Sequence, residues 1–416
     1  MKLKSLFLTS LAALALGACS NNDNDAVSNV GEKNFAFSIT MPAAGFTSRA
    51  DSYTAGAKDW GTVDENNFVS VDILVGTVSK SFVLADFTKT TDATAQTITY
   101  TLNADKYLSV APGTYACKAI VNAAMPTAAS KAGAYATIDG IVGTGDFAAP
   151  NNFIMTGTAS ATVTANQTST AVIPVDRIAA KLETVAAKST GDTPTDVTSF
   201  TNDGLTFTIL NYTFLNLNKT SNYWAAAGVF VPTATTGYFQ YCAMDKSNAF
   251  TYPTATAKTI GHVTYCLENG STVPTKVVYA VKVSGTIGST ALVDGANFYK
   301  VGNTVYPSFA ALDAANAQAY SKTYGLSDTS SFADFNTAGV QKFTAGVCYY
   351  VKDIKTVTGS TSTSTIARNN WYKLRVTNIS GIGSPVVDPP TPPTQTLLSL
   401  QVVINPWAVN VNDFDL

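Results

Sequence analysis

Residues that could carry catalysis are scarce in this sequence. His262 is the only histidine among 416 residues, so a Ser-His-Asp triad or a multi-histidine metal site would have to be built around it. It lies in an apolar, strand-like stretch, where a histidine is more often structural than catalytic. No G-x-S-x-G, H-E-x-x-H, P-loop or G-x-G-x-x-G pattern is present. The sequence therefore predicts a protein that is not an enzyme and that uses no metal or cofactor.

The residue with the clearest chemistry is Cys19. It directly follows Leu16-Gly17-Ala18, after an N-terminus with Lys2 and Lys4 and an apolar run from Leu6 to Leu16. This order is typical of a secretory signal peptide. The apolar run is about half of the ~20 residues that a membrane span needs. The pattern predicts a lipobox, with cleavage before Cys19 and a lipid on its thiol. The serine that follows favours sorting to an outer membrane.

Four further cysteines lie far apart, at Cys117, Cys242, Cys266 and Cys348. None forms a C-x-x-C pair, so neither a zinc site nor a thioredoxin motif is indicated. An exported chain can form disulfides. Buried free thiols are an equal alternative, and the sequence does not decide between the two.

Composition bounds the fold and the partners. Charged residues make up 13% of the chain and the formal net charge is −2. This balance does not indicate a positively charged surface that would bind nucleic acid or lipid head groups. Hydrophobic residues, at 46%, suffice for a sizeable core. Low charge with abundant Thr and Tyr is typical of β-sheets packed on β-sheets. A chain of 416 residues is long for one sandwich. We therefore expect a mainly β protein with two domains.

Alternating apolar residues predict most of the strands. Apolar side chains recur at every second position in Phe35–Met41, Val69–Val75 and Ile98–Leu102. A period of two residues is typical of strands with one face in a core. Turn residues such as Pro112-Gly113 and Asn269-Gly270 separate the strands. The pattern predicts two tandem β-sandwich domains.

Two windows favour helices within this β pattern. Ser308–Tyr320 is rich in alanine and carries Phe309, Leu312 and Ala315 at helical spacing. Short helices are also expected near Arg177–Ala187. The fold should therefore include a few short helices.

The C-terminal end of the chain has an unusual layout. Residues 384–396 (SPVVDPPTPPTQT) hold five prolines, which predict an extended, semi-rigid arm. The arm leads into a last strand with apolar residues at every second position: Leu398, Leu400, Val402 and Ile404. A strand on a proline arm is suited to joining another sheet. We expect it to act as a donor strand for a neighbouring subunit.

A series of sequence blocks carries a family resemblance. The blocks are LGAC at Leu16–Cys19, Arg49 followed by Ala50, PGTYACKAIVNA at Pro112–Ala123, FIMTG at Phe153–Gly157, VDRIAAKLE at Val175–Glu183, YCLEN at Tyr265–Asn269, GVCYYVKDI at Gly346–Ile354, RNNWYKLRVTNISGIG at Arg368–Gly383, and Pro406-Trp407. In this order, over almost the whole chain, the sequence resembles the fimbrillins of Bacteroidales type V pili, the major fimbrial subunits. The short-fimbria branch is the most similar, although the chain is shorter than some of its members.

The resemblance implies a fold and a mode of assembly. Such pilins have two β-sandwich domains of transthyretin-like topology and travel to the outer membrane as lipoproteins. An arginine-specific protease then cuts them, and the cut maps onto Arg49-Ala50, in a turn-rich stretch that a protease can reach. The cut removes a first strand, and the C-terminal strand of another subunit fills the groove. In this sequence the plug strand carries Phe35, Phe37, Ile39 and Met41.

The expected organisation follows from these assignments. It comprises a signal peptide (1–18), a lipidated propeptide with the plug strand (19–49), an N-terminal sandwich (50–184), a C-terminal sandwich (185–384), a proline-rich arm (385–396) and the donor strand (397–416). The expected function is that of a pilus stalk subunit at the cell surface, in adhesion and biofilm formation, with its precursor in the outer membrane.

Several partners are implied. They are further copies of the chain, accessory fimbrial subunits and an anchor, the maturation protease, and receptors on host or bacterial surfaces. Nucleic acid is not expected, and the membrane is reached through the lipid on the precursor. Two alternatives stay open: an accessory or tip fimbrial subunit, and a surface lipoprotein that binds glycans or protein through exposed Tyr and Trp. An enzyme ranks third, because nothing selects the carboxylate pair of a glycosidase.

Overall fold

The computed structural model describes strands, turns and short helices over most of the chain. The described residues are 33–42, 61, 64–92, 97–127, 130–132, 135–137, 140–142, 147–149, 151–185, 199–224, 238–239, 262–358, 361–387, 398–405 and 411–412. Strands dominate them, and the prediction of a mainly β protein is confirmed.

The strands follow one another in many short segments. The first are β1 Phe35–Pro42, β2 Ser70–Val75, β3 Val78–Val83, β4 Phe87–Asp92, β5 Thr97–Leu102, β6 Gly113–Val121, β7 Ser130–Ala132, β8 Tyr135–Thr137, β9 Gly140–Val142, β10 Ala148–Ala149 and β11 Asn152–Phe153. Next come β12 Met155–Val163, β13 Ser169–Pro174, β14 Asp176–Arg177, β15 Ala179–Val185, β16 Ser199–Asn202, β17 Leu205–Leu215, β18 Leu217–Asn218, β19 Thr220–Asn222, β20 Tyr238–Phe239, β21 His262–Leu267 and β22 Lys276–Ile287. The last are β23 Thr290–Leu292, β24 Phe298–Val301, β25 Thr304–Tyr306, β26 Gln341–Phe343, β27 Val347–Asp353, β28 Thr356–Thr358, β29 Thr361–Thr363, β30 Trp371–Ile379, β31 Leu398–Asn405 and β32 Val411–Asn412.

The described helices are short. The α-helices are α1 Phe309–Ala315, α2 Ala319–Lys322 and α3 Phe332–Thr337, and the 3-10 helices are Asp64–Asn66, Leu84–Asp86, Ala104–Lys106 and Thr344–Gly346. Within the ranges given above, no helix has the length and apolar character that a membrane crossing requires.

Two sheets around one core form a first sandwich. One sheet has the strand order β13-β1-β5-β4, and the other has the order β14-β12-β6-β2-β3. Alternate residues of β2 and β5 are buried, as their period of two predicts. The core has an aromatic centre, in which the rings of Phe68 and Tyr100 stack at 4.4 Å and those of Phe68 and Phe87 meet edge to face at 5.3 Å.

A second sandwich is built in the same way from the later strands. Its larger sheet has the order β32-β31-β30-β15-β21-β8-β9, and its smaller sheet has the order β16-β17-β22-β23, with β27 also paired to β22. Leu182 from β15, Val281 from β22 and Leu374 from β30 are fully buried in one common core. The described part of the chain therefore contains two tandem sandwiches.

The chain crosses between the two cores at Ala179 and Ala180. Ala179 packs in the first core and Ala180 in the second. The expected boundary after residue 184 assigns β15 to the first sandwich, whereas β15, β8 and β9 lie in a sheet of the second. The prediction of short helices near Arg177–Ala187 is wrong, because β14 and β15 occupy that stretch. Residues 179–183 are all buried, and a strand covered on both faces lacks the alternation that would have marked it.

A small helical module interrupts the second sandwich between β23 and β27. It packs α1, α2 and α3 against a sheet with the order β25-β24-β26, around Leu312 and Phe335. The hydroxyl of Ser308 caps α1 by accepting a hydrogen bond from the amide of Ala311 at 3.2 Å. The helix predicted over Ser308–Tyr320 is confirmed, with a break where Ala317 and Gln318 adopt positive φ angles of 55° and 62°.

Buried ions join the two sandwiches. Glu65 is 1% exposed, and its carboxylate contacts the amine of Lys181 at 2.8 Å and the hydroxyl of Tyr265 at 2.5 Å. Arg177 donates to the carbonyl of Glu65 and to the side-chain oxygen of Asn369, both at 2.8 Å. Burial alone would raise the pKa of Glu65, but Lys181 and Arg177 outweigh it and hold the pKa below its ordinary value. The junction therefore contains an ionised, fully buried carboxylate.

A second arginine strengthens the junction. Arg368 forms an ion pair with Glu268, and its Nε donates to Oε2 of that carboxylate at 3.0 Å. Arg368 also donates to the carbonyl of Tyr223 at 2.8 Å. Tyr223 packs in the first core, and its carbonyl accepts a further bond from Thr156 of β12. The C-terminal half of the chain is thus tied to the first sandwich at two separate points.

Removing the charge of Glu65 tests the junction. Glu65→Gln keeps the size of the side chain but leaves Lys181 and Arg177 without their carboxylate. We expect a loss of roughly 3–5 kcal/mol in the free energy of unfolding at neutral pH, because a buried charge then lacks compensation. Urea denaturation measures the loss. Asp86→Asn, which removes the partner of the partly exposed Lys106, is the control and should change stability far less.

The wild type and Glu65→Gln should also differ in how their free energy of unfolding depends on pH. The folded-state pKa of Glu65 lies below the ordinary value of 4.5, so its stabilising contribution is complete above that pH. It is lost as the pH falls through the folded-state pKa. The advantage of the wild type over Glu65→Gln should therefore shrink at acid pH. A difference that stayed constant would contradict an ionised Glu65.

Candidate functional site

The predicted plug strand lies in the middle of a sheet. β1 pairs in parallel with β13, where Phe35 lies opposite Ser169 and Thr40 opposite Pro174. On its other side β1 pairs antiparallel with β5, where Ser38 lies opposite Thr101. β1 therefore supplies backbone partners to two strands at once. Without it, β13 and β5 would each face an open slot.

The four apolar residues named from the sequence all lie in the first core. Phe35, Phe37 and Ile39 are 0% exposed and Met41 is 1% exposed. The ring of Phe37 meets those of Phe82 and Phe87 edge to face at 5.3 and 5.7 Å. Burying four such side chains contributes about 6–12 kcal/mol as an upper limit, at roughly 1.5–3 kcal/mol each. β1 is thus an integral part of the first sandwich.

Asn34 fastens the start of β1. Its side-chain amide donates to the carbonyl of Val110 at 2.9 Å, and its side-chain oxygen accepts from the amide of Val110 at 3.0 Å. Phe35 exchanges two backbone bonds with Leu108, at 3.0 and 2.9 Å. At the other end of β1, the carbonyl of Thr40 accepts from the amide of Val175 at 3.0 Å. Both ends of the strand are therefore held by backbone groups of the first sandwich.

The predicted donor strand is β31. It pairs antiparallel with β30 of its own chain. The register sets its four apolar residues opposite buried core residues: Leu398 opposite Ile379, Leu400 opposite Val376, Val402 opposite Leu374, and Ile404 opposite Tyr372. Its donation to a neighbour stays a prediction, since it concerns assembled subunits and this structure holds one chain.

The start of the proline arm is fixed to the second sandwich. Ser384 and Tyr349 of β27 exchange backbone hydrogen bonds at 2.7 and 3.0 Å. Val387 packs against a small apolar cluster of Leu215, Val278 and Ala280. The arm beyond Val387 lies outside the described residues until β31 begins. So do Cys19, Arg49 and Ala50, for which the structure gives no placement.

The other singled-out residues have structural roles. Tyr265, Glu268, Arg368 and Asn369, from the blocks YCLEN and RNNWYKLRV, belong to the buried junction. Sequence analysis used these blocks only for the family resemblance and did not predict their ion pairs. The signal was present, because charged residues inside apolar strands are uncommon in a chain of low charge. His262 begins β21, as its strand-like surroundings predict, and its side chain is outside the described residues.

The described thiols have no reactive surroundings. Cys117, Cys266 and Cys348 are free and buried. Burial raises the pKa of Cys266, and it raises the pKa of Cys348 to about 11. These thiols are therefore protonated at neutral pH and chemically quiet. Cys242 lies outside the described residues. Among the described residues, no three His, Cys, Asp or Glu side chains come together as a metal site would need.

Comparison with known protein families gives a match for one segment of the chain. Residues 341–413 match the family described as major fimbrial subunit protein type IV, fimbrillin, C-terminal. The matched segment runs from β26 through the proline arm to β32, so it contains the predicted donor strand. No curated protein matches the chain in sequence.

Three solved structures show a distant likeness. A putative cell adhesion protein from Parabacteroides distasonis is 12% identical with a TM-score of 0.45, covering 89% of this chain and 99% of its own. A fimbrial assembly protein from the same species is 11% identical with a TM-score of 0.39, covering 91% and 98%. The tip fimbrial protein Mfa3 of Porphyromonas gingivalis, with a C-terminal truncation, is 11% identical with a TM-score of 0.36, covering 89% and 99%. Similarities this distant decide neither the fold nor the function of this chain.

Truncating the central ring of β1 tests its place in the fold. Phe37→Ala in the uncut chain removes a fully buried ring, and such changes typically cost about 3–5 kcal/mol of folding free energy. Urea denaturation measures the loss. Val172→Ala is a matched control, because Val172 is opposite Ser38 on β13 yet 59% exposed, so its loss should be within about 0.5 kcal/mol. Equal stabilities for the two variants would contradict the buried position of Phe37.

Proposed function

We propose that this chain is a structural subunit of a bacterial surface fimbrium that polymerises by strand exchange. The observation that carries the proposal is the position of β1. A strand with four buried apolar residues occupies the middle of a sheet. Its only covalent link to the rest of the sandwich runs through residues 43–63, which include Arg49. The fimbrillin match over residues 341–413 supports the same function.

Cleavage after Arg49 would convert the precursor into an acceptor. The cut separates β1 from the chain that continues at Ala50. Departure of β1 would leave unpaired backbone on β13 and β5 and an open row of apolar pockets. Exposed strand edges of this kind bind added strands. The precursor is therefore a closed monomer, and the cut chain is able to polymerise.

The C-terminal strand of a neighbouring copy would fill the slot. Leu398, Leu400, Val402 and Ile404 repeat the spacing of the four residues of β1, so one face carries four apolar side chains in each strand. Because β31 lies beside β30 of its own chain, it has to leave that edge before another subunit can receive it. The proline arm, which is fixed to its own subunit at Ser384, is the segment that would span the distance to the neighbouring subunit.

Export and location complete the proposal. Cys19 is lipidated after signal-peptide cleavage, and the precursor is held at the outer membrane by that lipid. An arginine-specific protease acts there, and the cut subunits build a filament at the cell surface. Accessory subunits and an anchor join the filament, and adhesion and biofilm formation follow from its exposure.

Blocking the cut tests the activation step. Arg49→Ala should give folded, lipidated precursor that forms no filaments, because β1 stays attached and refills its own slot. Negative-stain microscopy of surface material measures filament formation. In the wild type, N-terminal sequencing of filament subunits should begin at Ala50. Filaments whose subunits retain residues 35–41 would rule out activation by this cut.

Charges on the last strand test donation. Leu400→Lys or Val402→Lys should abolish filaments, because each places a charge in an apolar pocket of the acceptor. Val403→Lys is the matched control on the alternate face of the same strand and should assemble far better, because the corresponding position of β1, Thr40, is only half-buried. Filament length and yield by microscopy measure the difference. An equal loss of filaments for Val403→Lys would contradict insertion with the apolar row in the core.

A further inference from the structure

Residues 380–387 lead from the end of β30 to the proline arm and lie against β27 of the smaller sheet. Ser384 forms a single antiparallel bridge with Tyr349 of β27, through backbone hydrogen bonds of 2.7 and 3.0 Å. Between β30 and this bridge, Ile382 is buried in the second core. The chain therefore crosses from the larger sheet to the smaller sheet before the arm begins.

One buried hydroxyl holds this crossing. Tyr350 of β27 is 4% exposed, and its hydroxyl donates to the carbonyl of Gly381 at 2.6 Å. The same oxygen accepts from the amide of Gly383 at 3.2 Å. Burial raises the pKa of Tyr350 well above its ordinary value, so the hydroxyl keeps the proton that it donates. A single side chain thus provides partners for two backbone groups of an irregular segment.

Gly383 allows the close approach of the two segments. A Cβ atom on this residue would lie 2.6 Å from the carbonyl oxygen of Tyr349 and 3.0 Å from the ring of Tyr350. Any larger residue would therefore push the crossing away from β27. We call the set of Tyr349, Tyr350, Gly381, Gly383 and Ser384 the arm clamp.

β30 is the strand that the proposed exchange would weaken. Its described ladder with β15 runs from Trp371 to Arg375. Beyond Arg375 its described ladder is with β31, and the last pair joins Ile379 to Leu398. Once β31 has left, a pull on the arm would reach β30 at this end. A strand pulled from one end opens one pair at a time, because its hydrogen bonds are loaded in sequence.

We propose that the arm clamp passes the pull of a neighbouring subunit into the smaller sheet and keeps it off the end of β30. The inference rests on the proposed strand exchange and adds the residues that anchor the donor arm. β27 pairs with β22 along its whole length, Val347–Asp353, and β22 pairs in turn with β17. A pull at Ser384 is therefore shared among three strands of the smaller sheet.

The arm clamp also sets the length of the free linker between subunits. With the clamp closed, the linker begins after Val387, which packs against strands of the smaller sheet. Residues 388–397 then span about 30 Å when extended, at ~3.1 Å per residue. With the clamp open, residues 380–397 would span about 56 Å on the same basis. A longer linker gives neighbouring subunits more freedom to move, so the clamp should stiffen the filament.

Hydrogen exchange in the uncut chain tests the clamp without any assembly. Tyr350→Phe removes the hydroxyl and keeps the ring, and Gly383→Ala adds the Cβ atom for which the clamp has no room. In both variants the backbone amides of residues 380–387 should exchange about tenfold faster or more, because the lost contacts lower the cost of local opening. Mass spectrometry of peptides measures the rates. Unchanged rates in both variants would overturn the clamp.

Tyr372→Phe is the matched control. Tyr372 is fully buried in the same core as Tyr350, and its hydroxyl bonds with Thr356 and the amide of Ala367 rather than with residues 380–387. The control therefore also loses a buried tyrosine hydroxyl but leaves the arm clamp intact. Urea denaturation compares the global stability of the three variants. A rise in exchange at residues 380–387 that Tyr372→Phe shows equally would reflect general destabilisation and contradict the clamp.

Filament stiffness tests the role of the clamp in assembly. The wild type and the three variants are cut after Arg49 and assembled, and the persistence length is measured from filament contours by negative-stain microscopy. Tyr350→Phe and Gly383→Ala should give more flexible filaments that break into shorter pieces under a fixed shear. Filaments of Tyr372→Phe should match those of the wild type.

The possible outcomes separate this inference from the proposed function. Clamp variants that form filaments as stiff and as resistant to shear as the wild type would overturn the anchoring role and leave strand exchange intact. Loss of filaments in the two clamp variants alone would support the anchoring role. A wild-type chain that forms no filaments after the cut would overturn the proposed function, and this inference with it.

Discussion

A strand in the middle of a sheet must be paired on both sides. Buried backbone amides and carbonyls without partners are costly, and an open row of apolar pockets adds to that cost. In this protein the requirement falls on the slot between β13 and β5, which β1 fills in the single chain. The slot can be emptied only if another strand with the same alternation takes its place. In the proposed function, maturation and assembly both follow from this requirement.

The junction between the sandwiches keeps that exchange local. Glu65 follows the segment that contains Arg49, and it is tied to both sandwiches through Arg177, Lys181 and Tyr265. In the proposed mechanism, β1 can therefore leave while the chain from Glu65 onward stays in place. In a filament joined by strands, tension would enter at the slot of the first sandwich and leave through the arm of the second. The buried ion pairs lie on that path.

Whether the sequence pattern predicted a strand or helix correctly depended on what surrounds that segment in the fold. β1, β2 and β5 place a large apolar side chain in a core at every second position, so their alternation identified them, although Ala36 and Ser38 of β1 are buried as well. β15 has both faces covered, and the missing alternation led to the wrong prediction of helices. Ser308 ahead of an Ala-rich stretch located α1 correctly, but the left-handed residues that end it carry no glycine signal, since they are Ala317 and Gln318.

The candidate site, too, could be predicted from the sequence only in part. The four core residues of β1 could be named from spacing alone, because a period of two decides which side chains share a face. Their central position in the sheet could not, since pairing partners such as Ser169 lie far away in sequence and local pattern does not report them. The same holds for the ion pair of Glu65 with Lys181, whose residues are more than a hundred positions apart. Charge in an apolar strand indicates a buried partner without identifying it.

The side chains of the two strands indicate what would drive the exchange. β1 fills its pockets with two phenylalanines, an isoleucine and a methionine, whereas the last strand offers two leucines, a valine and an isoleucine. The donor therefore buries less apolar surface, and better packing cannot be the driving force. The advantage of β1 in the precursor is its covalent link, which sets an effective concentration of roughly millimolar in its own slot. In the proposed mechanism, cleavage would remove that link and leave β1 free to dissociate, whereas every donor strand would remain attached to a subunit already held in the growing filament. Loss of the tether would therefore favour the donor strand in the slot although it buries less apolar surface, with its departure from β30 as an opposing cost.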